Sequence, residues 1–190
     1  MKLVILDRDG TINLDSDAYI KSPEEWQPIP GALEAIAKLN HAGWHTVIAS
    51  NQSGIGRGLF DVTTLNAMHA KMNKMLAAVG GKVDAVFYCP HAADDGCHCR
   101  KPLSGLFEQI GERYGVDLKN VPVVGDSARD VVAGVAVGCE PHLVLTGKGE
   151  AFRGVPLPDA FPMGTRVHDD LAAFADYLVA REAPAKTAAA

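Results

Sequence analysis

The sequence predicts an α/β fold built on one doubly wound, Rossmann-like parallel sheet. Three observations lead there. Short apolar, β-branched runs alternate along the chain with longer amphipathic segments of helical period. Several of those runs, Leu3-Val4-Ile5-Leu6 among them, are apolar at every position, as strands covered on both faces must be. The length of 190 residues suits a single domain. A domain of that size buries roughly 70% of its unfolded surface and needs no disulfide staples.

The first strand is expected at Lys2–Leu6, ending at the charge of Asp7. From Asp15 to Pro30 runs a polar loop with Tyr19, Trp26 and three prolines, long enough to mark a functional segment. Ala32–His41 carries Leu33, Ile36 and Leu39 at helical spacing, and Gly43 supplies a stop. The second strand is Trp44–Ala49. Asp61 is the expected N-cap of a long helix with Leu65, Met68, Met72, Met75, Leu76 and Val79 along one face, closed by Gly80-Gly81. Its methionine stripe reads as core packing, not as a cofactor site. Strands at Ala85–Tyr88, Val121–Val124 and His142–Leu145 then alternate with helices near Leu103–Tyr114, Ser127–Val137 and Asp169–Arg181. No repeat or interior linker divides the chain, so residues 1–182 read as one domain and Ala183–Ala190 as a frayed tail.

Composition narrows the function classes. The net charge of −5 weighs against a nucleic-acid or anionic-membrane binder, although it leaves room for a local cationic pocket. No apolar stretch approaches the roughly 18 residues of a membrane span, and the N-terminal apolar run is too short for a signal-peptide core. A cytoplasmic protein is expected. Three of the four cysteines, Cys89, Cys97 and Cys99, crowd into eleven residues, which in such a chain points to metal binding before disulfides.

Ligands of doubly wound sheets bind beyond the carboxyl ends of the strands, so the residues that leave each strand carry the information. Asp7 and Asp9 follow the first strand, Ser50 and Asn51 the second, and Asp126 the fourth. Carboxylates at i and i+2 on extended chain point the same way and repel unless a cation or proton intervenes. By itself Asp7-Arg8-Asp9-Gly10-Thr11 could also be an ordinary Asp-rich turn.

Together with the rest of the chain, the pattern resembles the haloacid dehalogenase (HAD) superfamily. The Asp-x-Asp-Gly-Thr motif, Ser50 after the second strand, Lys101, and Gly125-Asp126-x-x-x-Asp130 match its four motifs in order, over residues 1 to about 150. The resemblance implies that Asp7 attacks phosphorus to form an aspartyl-phosphate, which water then hydrolyses. It implies Mg²⁺ held by Asp7, the backbone carbonyl of Asp9 and Asp126, with Asp130 behind them as a supporting partner or merely a helix stabiliser. Asp9 becomes the acid that protonates the leaving oxygen and the base that activates water. Ser50 and the Lys101 ammonium hold the phosphoryl oxygens. An acid two residues after the nucleophile favours phosphatases over dehalogenases. The chain is too short for the large cap domain of a mutase, so a capless hydrolase is expected.

Cys89-Pro90-His91 and, five residues on, Cys97-His98-Cys99 offer two close ligand pairs. Cys89, His91, Cys97 and Cys99 form the set that a structural, tetrahedral Zn²⁺ takes. His98, between two ligands, should point away, and Cys139 reads as a small buried residue. The cluster runs directly into Arg100-Lys101-Pro102, so zinc is expected to fix the loop that presents both cations.

A Cys-x-His…Cys-x-Cys-Arg-Lys-Pro element in a minimal HAD domain is similar to two families: the D-glycero-D-manno-heptose-1,7-bisphosphate 7-phosphatases and the histidinol-phosphate phosphatases. Ser50-Asn51-Gln52-Ser53-Gly54-Ile55-Gly56-Arg57-Gly58 looks like the heptose family, with Ser50 in place of its commoner Thr and a short gap between zinc pairs. That resemblance implies a small phosphorylated sugar as substrate, in the biosynthesis of nucleotide-activated heptose for lipopolysaccharide core. It implies substrate contacts from Asp15, Ser16, Asp17 and Ala18, from Ser50, Asn51, Gln52 and Ser53, and from Arg100 and Lys101. Arg57 is either a further contact or a surface arginine. No nucleic-acid or membrane partner is expected, and the working unit is expected to be a monomer. The alternatives are a histidinol-phosphate phosphatase, a polynucleotide 3′-phosphatase, for which the chain lacks a basic cluster, and a noncatalytic zinc module.

Overall fold

On β1 (Leu3–Leu6), Val4 and Leu6 belong to one hydrophobic core and Leu3 and Ile5 to another. The strand is apolar throughout because it is covered on both faces. This computed structural model describes residues 1–182; the expected tail, Ala183–Ala190, lies outside the described residues. The other strands are β2 (His45–Asn51), β3 (Ala85–Cys89), β4 (Pro122–Gly125), β5 (Glu140–Val144) and β6 (Arg166–His168). All five neighbouring pairs are parallel, in the order β3-β2-β1-β4-β5-β6. This is the doubly wound order, and it reverses direction between β1 and β4. The expected fold class is the one observed.

The helices are α1 (Ala32–His41), α2 (Ser53–Gly56), α3 (Val62–Ala78), α4 (Gly105–Tyr114), α5 (Ala128–Val135) and α6 (Leu171–Glu182). On one face Ile36, Leu65, Met68, Met72, Leu76, Phe174 and Leu178 pack on the sheet; on the other lie Leu106, Phe107, Ile110 and Ala133. A fully buried side chain of this size contributes about 1.5–3 kcal/mol. The methionine stripe is core, as expected, and Asp61 caps α3 by accepting a 2.8 Å hydrogen bond from Thr64 N. Cys139 is buried in the α4 face.

Three elements went unforeseen: β6, α2, and a 3₁₀ turn at Gly147–Phe152. The expected strand ends also shift by one to two residues. The long polar loop after β1 is anchored to the core. Trp26 is fully buried in the core, and Lys71 Nζ on α3 donates to the carbonyls of Pro23 (2.6 Å) and Trp26 (2.7 Å). The loop is thereby pinned at its far end, while its Asp15–Asp17 end hangs over the carboxyl edge of the sheet. Among the described residues no helix is long and apolar enough to cross a membrane.

Candidate active site

Where the strand order reverses, β1 delivers Asp7 and Asp9 and β4 delivers Asp126. Asp7 continues the ladder by donating its backbone N–H to Val124 O at 2.8 Å. The chain then turns back on itself, with the N–H groups of Thr11, Ile12 and Asn13 all directed at Arg8 O. Gly10 is required at this turn. Its φ is +84°, and a Cβ there would lie 2.0 Å from Asp126 Oδ2. Gly147 approaches from the other side at φ +55°, where a Cβ would lie 2.3 Å from the same oxygen. The Asp126 carboxylate is thus threaded between two glycines and accepts a 2.8 Å hydrogen bond from Lys148 N.

Carboxylate oxygens of Asp7, Asp126 and Asp130 lie within 4.8 Å of one another. Lys101, only 3% exposed, answers part of that charge. Its ammonium donates to Asp7 Oδ1 (2.8 Å) and Ala49 O (2.7 Å) and pairs with Asp130 Oδ1 at 2.7 Å. Burial by itself would lower its pKa, but Asp130 and Asp7 outweigh burial and raise it, so the lysine is firmly charged. The two carboxylates that Lys101 cannot fully compensate are pushed toward their neutral form. Burial pushes Asp7 up to about 6 against the pull of Lys101, with Asp130 adding to the rise. Burial and the repulsion of Asp7 and Asp130 push Asp126 up to about 8. Asp130 is lowered, because Lys101 and Ser127 overcome its burial. An all-oxygen trio with surplus negative charge is what a hard divalent cation relieves.

Asp130 stabilises its helix and also holds Lys101. Its Oδ2 accepts from Ser127 N (3.0 Å) and Ser127 Oγ (2.6 Å), completing a capping box at the start of α5, while Oδ1 holds Lys101. The Asp9 carboxylate is turned out of the trio. It accepts from Arg8 Nε (2.9 Å), Arg8 Nη2 (3.0 Å), Asn13 Nδ2 (2.8 Å) and Gln52 Nε2 (2.9 Å). Burial would raise its pKa, but Arg8, Asn13 and Gln52 more than offset it and hold the group below the usual carboxylate value.

These groups open onto a cavity of about 200 Å³. Of the expected residues, Asp7, Asp9, Asp15, Ser16, Asp17, Ser50, Asn51, Gln52, Ser53, Arg100 and Lys101 line it. Ala18 and Asp126 do not; the Ala18 N–H turns to Ser16 Oγ at 3.1 Å, inside the loop, and Asp126 is buried beside Asp7 and Asp130. Arg57 is exposed and lies over the ring of Tyr19, 5.9 Å from its centroid, without itself lining the cavity. Asn51 has a task not anticipated: its amide clamps the Lys101 backbone through two 3.0 Å hydrogen bonds. Gln52 Nε2 spans Asp9 and Ser50, donating to Ser50 Oγ at 2.8 Å. The residues missed are Tyr19, Ile20, Arg129 and Lys148, which line the same space. Lys148 could have been found by the strand-exit rule, since it follows β5; its Nζ reaches Asp15 Oδ2 at 2.6 Å.

Beside the cavity the ligand atoms of Cys89, His91, Cys97 and Cys99 also lie within 4.8 Å of one another. Cys89 Sγ is 3.6 Å from Cys97 Sγ and 3.5 Å from His91 Nδ1, and His91 Nδ1 is 3.3 Å from Cys99 Sγ. A tetrahedron with zinc–sulfur bonds near 2.3 Å has edges of about 3.8 Å, so the set has the size of a zinc site. His98 points away, to Glu108 Oε2 at 3.0 Å, as expected. Arg100 Nη1 donates to His91 O at 3.3 Å, tying the cluster to the cavity wall.

Comparison with known proteins places this geometry. The HAD-hydrolase-like family model matches residues 98–174. A Bordetella bronchiseptica protein named D-glycero-beta-D-manno-heptose-1,7-bisphosphate 7-phosphatase is 57% identical over 179 residues, covering 94% of this chain and 98% of that protein. A Pseudomonas aeruginosa protein of the same name is 55% identical, covering 93% and 97%. The crystal structure of D,D-heptose 1,7-bisphosphate phosphatase from B. bronchiseptica, complexed with magnesium and phosphate, superposes with a TM-score of 0.89 at 55% identity, over 95% of this chain and 99% of that one. With identity of this degree along nearly the whole of both chains, the protein belongs to the D-glycero-β-D-manno-heptose-1,7-bisphosphate 7-phosphatase family of HAD-like hydrolases.

Proposed function

We propose that this chain hydrolyses the 7-phosphate of D-glycero-β-D-manno-heptose 1,7-bisphosphate through an aspartyl-phosphate on Asp7. One observation carries the reading: Asp7 meets a buried lysine and two further carboxylates at the strand-order reversal, at the end of a cavity also lined by Arg100, Arg129 and Lys148. The substrate and its β anomer follow the names of the relatives.

In the first step an Asp7 oxygen bonds to phosphorus while the bond from phosphorus to the sugar oxygen breaks, and Asp9, ionised in the free site by Arg8, Asn13 and Gln52, gives that oxygen a proton taken up as the phosphate dianion binds. In the second, Asp9 takes a proton from water, whose oxygen bonds to phosphorus as the Asp7–phosphorus bond breaks. Lys101 and Ser50 hold the equatorial oxygens. Asp7, Asp126 and the Asp9 carbonyl would hold Mg²⁺, with Asp130 acting through Lys101 and Ser127. When bound, the ion neutralises charge as the carboxylate meets a phosphate dianion. Burial and mutual repulsion at Asp7 and Asp126 support this placement. Arg100 offers a planar fork for the second phosphate or for sugar oxygens.

Cys89, His91, Cys97 and Cys99 would bind a structural Zn²⁺ that stiffens the segment leading to Arg100 and Lys101. Their thiols, all free, support a reducing compartment, and we place the enzyme in the cytoplasm, in heptose synthesis for lipopolysaccharide. Every residue invoked comes from one chain, which supports a monomeric working unit.

The test is phosphate release from both anomers of heptose 1,7-bisphosphate, histidinol phosphate and fructose 1,6-bisphosphate, compared by kcat/KM. The β-heptose bisphosphate is expected to lead. A preference for histidinol phosphate would overturn the substrate assignment.

A further inference from the structure

Between the two aspartates that leave β1 stands an arginine with no solvent exposure at all. Arg8 spends its guanidinium inside the protein. Nε lies 2.9 Å from Asp9 Oδ1, and Nη2 lies 2.8 Å from Oδ1 and 3.0 Å from Oδ2, so that the fork grips both carboxylate oxygens. Nη1 lies 3.3 Å from His69 Nε2 on α3. A guanidinium only donates, so His69 Nε2 must be the acceptor and the imidazole carries its proton on Nδ1. His69 therefore sits beside Arg8 as a neutral ring.

Burying an arginine is costly unless its donors are met, and the same fold could have closed this turn with a small apolar residue. What the buried fork adds is direction. A planar, two-point contact fixes the plane of a carboxylate, which a single lysine bond does not. His69 in turn fixes the plane of the guanidinium from a helix 61 residues away in sequence.

We infer that Arg8, held by His69, is a positioning residue that sets the orientation of the Asp9 carboxyl group for proton transfer to the leaving oxygen. This rests on the reading of Asp9 as acid and base. The fork touches no substrate atom and acts only through Asp9.

The experiment exploits the leaving group. A sugar alkoxide leaves poorly and needs the proton; p-nitrophenolate leaves well without it. The quantity compared is kcat/KM, which reports binding and the first transfer but not hydrolysis of the phospho-enzyme, for heptose bisphosphate against p-nitrophenyl phosphate. Asp9→Asn should lose on the order of 10²-fold or more on the sugar and far less on the aryl ester. Arg8→Lys and His69→Leu should show the same bias, at least about tenfold: lysine keeps the charge without the planar contact and leucine removes the acceptor that fixes the guanidinium, so the plane of Asp9 is left to Asn13 and Gln52 alone. His69→Gln, which retains an acceptor for Arg8, should stay within about threefold of wild type on both substrates. If Asp9→Asn is biased but Arg8→Lys and His69→Leu lose equally on both esters, the positioning role is wrong. If Asp9→Asn itself shows no bias, the acid assignment beneath it fails. Should Arg8→Lys not fold, the His69 pair decides, since that side chain is only half-buried on the helix.

Discussion

Replacing Lys101 by Met puts the largest single stress on the electrostatics of the site. The ammonium makes contacts of 2.8 Å to Asp7, 2.7 Å to Asp130 and 2.7 Å to Ala49 O, and is 3% exposed. Methionine fills similar volume but leaves two buried carboxylates without their cation. Breaking a buried pair in this way costs about 3–5 kcal/mol. The cost must depend on pH. Lys101 holds Asp7 down against burial, so without it both Asp7 and Asp130 bind protons more tightly in the fold than in the unfolded chain. The folded state then holds more protons than the unfolded one above the ordinary carboxylate value of 3.8, and stability falls as pH rises through that window. Urea unfolding followed by circular dichroism, in chelator, at about pH 5 and about pH 8, should show the larger loss at the higher pH. Phosphate turnover should drop by about 10²–10³-fold. A loss under about 1 kcal/mol at the higher pH, or an equal loss at both with turnover intact, would refute the charge accounting.

Cys97→Ser should cut bound zinc at least about tenfold by elemental analysis and lower kcat/KM about as much, because the ligand loop leads into Arg100 and Lys101; full activity without zinc would break that link. Gly147→Ala forces a Cβ to 2.3 Å from Asp126 Oδ2 at a φ of +55°. It should cost about 1–3 kcal/mol by thermal unfolding and weaken Mg²⁺ binding about tenfold or more by calorimetry. His142 is buried beside His168, and burial lowers its pKa from 6.5 to about 3. Its contribution to stability is complete above 6.5 and is lost as pH falls toward 3. His142→Asn should flatten the acid side of the stability curve; an unchanged acid slope counts against the assignment.

Much of this was legible in the residues, for physical reasons. Strands covered on both faces declare themselves by apolar continuity, and Ala32–His41 was readable to the residue because its apolar spacing and glycine stop agree. The clustering of Cys89, His91, Cys97 and Cys99 was legible because all four residues lie in one short segment. β6 was not: Arg166–His168 is three residues, largely exposed, and pairs only at the sheet edge. Ser53-Gly54-Ile55-Gly56 reads as loop because glycine disfavours helix, yet Arg57 N closes the turn on Ser53 O at 3.0 Å and Gly56 N is held by Pro90 O at 2.9 Å. Arg8 and His69 meet across 61 residues, and no local pattern announces such a pairing. Lys148 was within reach of the rule that found Asp126, one strand further on. The anchor of the loop bearing Asp15, Trp26 under Lys71, was not legible because it lies in tertiary contacts alone.

The central claim is that phosphorus passes through Asp7. Enzyme quenched in acid during turnover of heptose 1,7-bisphosphate, digested and analysed by mass spectrometry, should carry a phosphoryl group on the peptide of β1, at Asp7, and Asp7→Asn should carry none and release no phosphate. A phosphoryl group found on another residue, or turnover by Asp7→Asn at the wild-type rate, would contradict the account.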